Sequence, residues 1–105
     1  MCKAEKELAN HFLEAVIFAL LERGPARGFD IVEALARELG VVVGQGRVYT
    51  LLNSLVEEGH LTKEADAKGA VYSLTEPGKE HSEKMLNRYR NLLGRMAALM
   101  GKELK

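Results

Sequence analysis

The chain has 105 residues, enough for one domain with a modest core. Fifteen basic residues balance fifteen acidic ones, so there is no overall cationic field, and a nucleic-acid partner requires charge that is sorted locally. A single cysteine, Cys2, excludes an internal disulfide and cannot make a metal site alone; it fits a reducing compartment.

Residues 3–23 read as a helix. Leu8, Phe12, Val16 and Leu20 mark one stripe, and Leu13, Ile17 and Leu21 mark a second beside it. A helix apolar around most of its circumference is buried on more than one side, so something outside the monomer is expected to help cover it. Its apolar run, Phe12 to Leu21, is interrupted by Glu14 and is too short to span a bilayer. No signal peptide stands out, and a cytoplasmic protein without membrane contact is expected. Gly24-Pro25 breaks this helix. Residues 28–39 form the next, with Ile31, Val32, Leu35 and Leu39 inward and Gly40 closing it. Val41, Val42 and Val43 make an extended connection.

The stretch Gly44 to Leu61 follows. Val48, Leu51, Leu52, Leu55 and Val56 share one face at helical spacing. Thr50, Asn53, Ser54 and Glu57 occupy the opposite face, flanked by Arg47 and Tyr49. A helix read by a DNA groove needs such a small polar face, because bulky apolar groups there could not reach base edges. An ordinary surface helix has the same pattern, so the flanking segments decide. Gly59 is placed to end the helix in a left-handed conformation. The segment HLTKEAD is then a strand with Leu61 inward, turning around Ala67-Lys68-Gly69. AVYSLT returns with Val71 and Leu74 inward, which makes a β-hairpin. Thr75 can cap the last helix, with Pro77 in its first turn.

The final helix, roughly 77–104, is about 40 Å long at 1.5 Å per residue. Met85, Tyr89, Leu92, Met96 and Leu99 alternate spacings of four and three, the seam of a helix pair. Leu86, Leu93 and Met100 widen it. The helix either folds back over its own domain or dimerises, and its length favours dimerisation, together with Phe12 and Val16 of the first helix. The expected fold is therefore mainly α with a small β-hairpin, a winged helix-turn-helix carrying a long C-terminal dimerisation helix. One domain, 1–105, is expected, with 12–75 as the winged-helix core and 76–105 as the dimerisation helix.

Four segments in this order resemble the PadR family of transcriptional regulators in its short form, over about residues 12–80. They are IFALLERGPARGFDIVEAL, VVVGQGRVYTLLNSLVEEGHL, VYSLTEPGK and the long closing helix. The resemblance implies a dimeric DNA-binding regulator. It makes Tyr49 a phosphate contact and makes Arg47, Thr50, Asn53 and Ser54 groove contacts. It sets the wing turn at Lys68 and Gly69 along the backbone or minor groove, and Arg27 to Phe29 against phosphates. Some positions depart from the family pattern. Gly44 lacks the hydroxyl that commonly caps the recognition helix, and Arg27 and Phe29 stand where His and Tyr are common. The wing carries Glu64 and Asp66 beside Lys63 and Lys68, and there is no Trp to sandwich a flat drug.

Arg27, Arg47, Lys63 and Lys68, with Lys79, would supply the cations on the DNA side, doubled in a dimer. Neutralising about six phosphates would make log K fall with log salt at a slope near −5. Each subunit would insert its recognition helix into a major groove of a palindromic operator, with half-sites about one turn apart. A repressor is the expected role. Met85, Met96 and Met100 read first as core stripe, and second as an adaptable dimer pocket for a small apolar effector. No cofactor is expected. An enzyme is not expected either, because His11, His60 and His81 are scattered without metal spacing, and Glu57 and Glu58 point about 100° apart. Gly44-x-Gly46 lacks the Lys-Ser/Thr of a phosphate loop. The rival reading is a winged-helix protein–protein adaptor without DNA binding, which the neutral charge and thin wing would suit.

Overall fold

The structure, a computed structural model, describes residues 12–40 and 42–101. Its elements are α1 (Leu13–Glu22), β1 (Ala26–Arg27), α2 (Gly28–Leu39), α3 (Gln45–Glu57), β2 (Leu61–Asp66), β3 (Gly69–Leu74) and α4 (Glu76–Leu99). This is a winged helix, three helices and a small sheet followed by the long α4. Leu8, His11, Val41 and Cys2 lie outside the described residues, as do positions 102–104 of the expected last helix.

The apolar faces of α1, α2 and α3 meet at one core. Ile17 and Phe18 of α1, Ile31 and Leu35 of α2, and Val48, Leu52 and Leu55 of α3 are almost wholly buried, with Leu61 and Tyr72 closing the sheet side. The breaks fall where backbone chemistry demands them. α1 stops before Gly24-Pro25, while Gly40 (φ 68°) and Gly59 (φ 85°) adopt the left-handed conformation that ends α2 and α3. Thr75 caps α4, its Oγ1 accepting from the Gly78 N–H at 3.0 Å and donating to the Gly59 carbonyl at 2.7 Å. Val43 is buried, while Val42 faces solvent.

Three expectations are corrected. The wing holds three strands rather than two, because Ala26 and Arg27 pair antiparallel with Tyr72 and Val71 of β3, giving the order β1-β3-β2. Leu39, expected inward, is 44% exposed in the last turn of α2. The inward residue of β3 beside Leu74 is Tyr72, not Val71. Strand side chains alternate, so Val71 and Leu74, three apart, cannot share a face. Across β2 and β3 the pairs Leu61–Leu74, Lys63–Tyr72 and Ala65–Ala70 lie on one side, and Glu64–Val71 and Asp66–Gly69 on the other.

α4 packs its first half on the body. Ser82 is buried and donates to Glu22 Oε2 at 2.7 Å, Leu86 is buried, Met85 packs against the core, and the Tyr89 ring meets Phe12 edge-on at 5.2 Å. In its second half Ala97 is buried, but the large apolar side chains are not. Leu92, Leu93, Met96, Leu99 and Met100 are all exposed, Leu99 to 88%. No helix among the described residues is long and apolar enough to cross a membrane.

Candidate nucleic-acid interface

The register of α3 divides its residues between two jobs. Burial of Val48, Leu52 and Leu55 fixes the helix's rotation, and that rotation turns Arg47, Thr50 and Asn53 outward. Gly44 precedes the helix without a side-chain cap, as expected of a residue with no side-chain oxygen. Arg47 and Thr50 have no hydrogen-bond or ion-pair partner among the described residues. With Gly46 and Ser54 they line an open cleft of about 590 Å³ against Leu13 and Glu14 of α1. A free guanidinium and a free hydroxyl one turn apart, near a helix N-terminus, are suited to reading base edges.

The other expected contact residues are more committed. The Tyr49 ring is half-buried, with its phenol end against Gly28 at the start of α2. A β-carbon at position 28 would collide with it, so glycine there is what lets the ring seat. Asn53 Oδ1 accepts from Lys63 Nζ at 3.2 Å and from the Tyr72 hydroxyl at 3.3 Å, tying α3 to the wing. Lys63 also lies 5.9 Å above the Tyr72 ring centre, on the face their cross-strand pairing gives them. Ser54 is half-buried and donates to Glu58 Oε2 at 3.4 Å.

Arg27 is engaged as well. Its guanidinium donates twice to the Asp66 carboxylate, at 2.8 and 2.6 Å, and once to the Gly69 carbonyl at 3.2 Å. Asp66 also accepts the Lys68 N–H at 2.8 Å, which shapes the wing turn. The fork of Arg27 draws the Asp66 carboxyl down to a pKa of about 2, helped by the Lys68 N–H, and Asp66 in turn raises that of Arg27. Lys79 pairs with Glu76 at 3.3 Å. Of the five cations expected on this side, Arg47 and the Lys68 ammonium are the two without a side-chain partner among the described residues.

Sequence spacing missed one cluster. His60 and His81 stack at 4.2 Å with their rings 18° apart, and both meet the edge of Phe18. Their Nε2 atoms face Glu58 at 3.8 Å and Glu14 at 4.0 Å. His60 Nδ1 is buried without a partner. Stacked rings aim their lone pairs side by side and not at a common point, so this pair is no chelate. Among the described residues no group of three or more His, Cys, Asp or Glu could hold a metal ion. No spacing announces the pair, which exists because α4 begins against the exit from α3.

The PadR-like transcriptional regulator family matches residues 17–84, which include every element just described except the start of α1 and the part of α4 beyond Lys84. The chain belongs to that family. PadR-like proteins are transcriptional regulators and not enzymes. Solved structures agree on the fold. A PadR family regulator from Eggerthella lenta is 24% identical, with a TM-score of 0.76 over 90% of this chain and 86% of that one. A regulator from Clostridium thermocellum, 14% identical, gives the same score over 88% and 93%. Bacillus subtilis PadR, solved in complex with operator DNA, is 30% identical, with a TM-score of 0.65 over 70% of this chain and 45% of that one. No curated protein matches the chain.

Proposed function

We propose that this PadR-like chain is a cytoplasmic, DNA-binding transcriptional repressor that acts as a homodimer. The observation that carries the reading is the outward face of α3, where Arg47 and Thr50 have no partner among the described residues and line an open cleft against α1. The likeness to a PadR solved on its operator supports the same assignment. Arg47 and Thr50 read bases with Ser54 beside them in the same cleft, Tyr49 and the Lys68–Gly69 turn meet the backbone, and Asn53 and Lys63 brace the helix on the wing. The exposed apolar half of α4, with Phe12 and Val16 of α1, joins two subunits. A two-fold pair of reading helices then matches a palindromic operator.

A small apolar effector fits the same scheme. Between α1 and α4 an open groove of about 500 Å³ is lined by Phe12, Met85, Tyr89 and Leu92, with His81, Lys84 and Arg88 on its rim. A ligand there would alter the angle between subunits. The balanced charge and the engagement of Arg27 and Lys63 favour the alternative, a winged-helix adaptor without DNA. Fluorescence anisotropy with random duplex DNA across a salt series separates the two. A regulator binds with a negative slope of log K on log salt, and an adaptor shows no salt-dependent binding. Arg47→Ala is expected to cost about 1–3 kcal/mol of operator affinity. An unchanged affinity would remove Arg47 from the readout.

A further inference from the structure

Arg27 and Asp66 belong to the two outer strands of the wing sheet, with β3 between them. Cross-strand register sets Arg27 beside Val71, and sets Asp66 beside Gly69 on the same face. Gly69 has no side chain to obstruct that face, so the guanidinium crosses over it to reach the carboxylate and takes the Gly69 carbonyl on the way. The two parallel N–H···O bonds are the geometry a guanidinium makes with a phosphate. The pair is open to solvent, with side-chain exposures of 30% for Arg27 and 51% for Asp66. An exposed ion pair contributes little net stability, so another anion can replace the carboxylate at small cost. Around the pair are Asp30, one turn into α2, and Lys68, whose N–H holds Asp66 from the other side.

We propose that Asp66 is an internal stand-in for a DNA phosphate at Arg27, keeping that cation out of non-specific contact until a backbone phosphate displaces the carboxylate. The inference rests on the DNA-binding reading above. It makes Asp66 a specificity-determining residue that touches no base. On arbitrary DNA, Arg27 remains neutralised and adds nothing to the affinity. At a site where α3 is seated, a phosphate brought to the start of α2 takes over the fork and frees the wing tip to follow the groove.

The test compares wild type, Asp66→Asn, Arg27→Ala and the double variant for binding to random duplex DNA over a salt series. Asparagine keeps an acceptor for the Lys68 N–H, so the wing turn survives while the charge goes. Asp66→Asn is expected to tighten non-specific binding and to steepen the slope of log K on log salt by about 0.9 per subunit, about 1.8 per dimer. A fourfold rise in salt then costs the variant roughly tenfold more affinity than it costs wild type. In the Arg27→Ala background, Asp66→Asn is expected to change nothing. A slope that Asp66→Asn leaves unaltered overturns the inference. So does a shift that persists undiminished without Arg27, which would be a general charge effect. Binding that is sensitive to Arg47→Ala but indifferent to Asp66→Asn removes this inference and leaves the DNA reading standing. Failure of every variant to bind duplex at low salt removes both.

Discussion

At position 28 a hydrogen atom decides how α3 meets its neighbour. The Tyr49 ring seats on the bare backbone of Gly28, and any β-carbon there must push the ring aside. Gly28→Ala is therefore expected to lower stability by about 1–3 kcal/mol. It would appear as a lower urea midpoint with an unchanged m-value, whereas an unmoved midpoint would mean that the ring swings freely. Asp66 gives a pH signature. Its carboxyl pKa is drawn down from 3.8 to about 2, so its contribution is complete above the unfolded value and is lost as pH falls from about 4 through 2. In acid titrations of stability, wild type should fall more steeply than Asp66→Asn across that window. Parallel curves would mean that the bridge to Arg27 adds nothing to folding. These roles were only partly legible in the sequence. Helical spacing puts Thr50 on the outer face of α3 and Arg47 on its flank, and both are exposed there. The pairing of Arg27 with Asp66 was hidden, because residues 39 apart in the chain meet only through strand register.

Among the elements, the helices were readable because each has a long apolar period and a marked end. Gly24-Pro25, Gly40, Gly59 and Thr75 all act where their chemistry places them. The strands were harder. Ala26-Arg27 is too short to show a period and becomes a strand only because β3 offers it an edge. On β3, hydrophobicity favoured Val71, but alternation selects Tyr72, whose ring fills the core while its hydroxyl reaches Asn53. An aromatic residue with a polar tip serves both the core and the joint, which a pure hydrophobicity ranking overlooks. Thr75 joins two elements, capping α4 and bonding to the last turn beyond α3. Thr75→Ala is expected to cost about 1 kcal/mol by losing the cap. A thermal midpoint equal to wild type would show the cap to be replaced by solvent.

On the scale of the whole molecule, the exposed apolar half of α4 is the feature an isolated chain leaves unexplained. The molecule extends 49 Å along its longest axis and 20 Å along its shortest, and the 24 residues of α4 run about 36 Å. If a second copy covers it, Leu93→Glu is expected to give a monomer at micromolar concentration by sedimentation, with helical content retained and operator affinity sharply reduced. A wild-type chain that sediments as a monomer at the same concentration would rule out the two-fold arrangement.

The joint at the foot of α4 has a mechanical consequence. Gly78 presses on the carbonyl of His60, which also accepts the Thr75 N–H at 3.1 Å, while the imidazole of His60 stacks on His81 one turn further along. The hinge end of α4 and the trailing end of α3 are thus clamped at a single fulcrum. With an arm of about 27 Å beyond it, a tilt of about 5° carries the far tip roughly 2 Å. Leverage runs both ways: a small shove on the distal arm arrives at α3 as torque, without anything touching the face proposed to meet DNA.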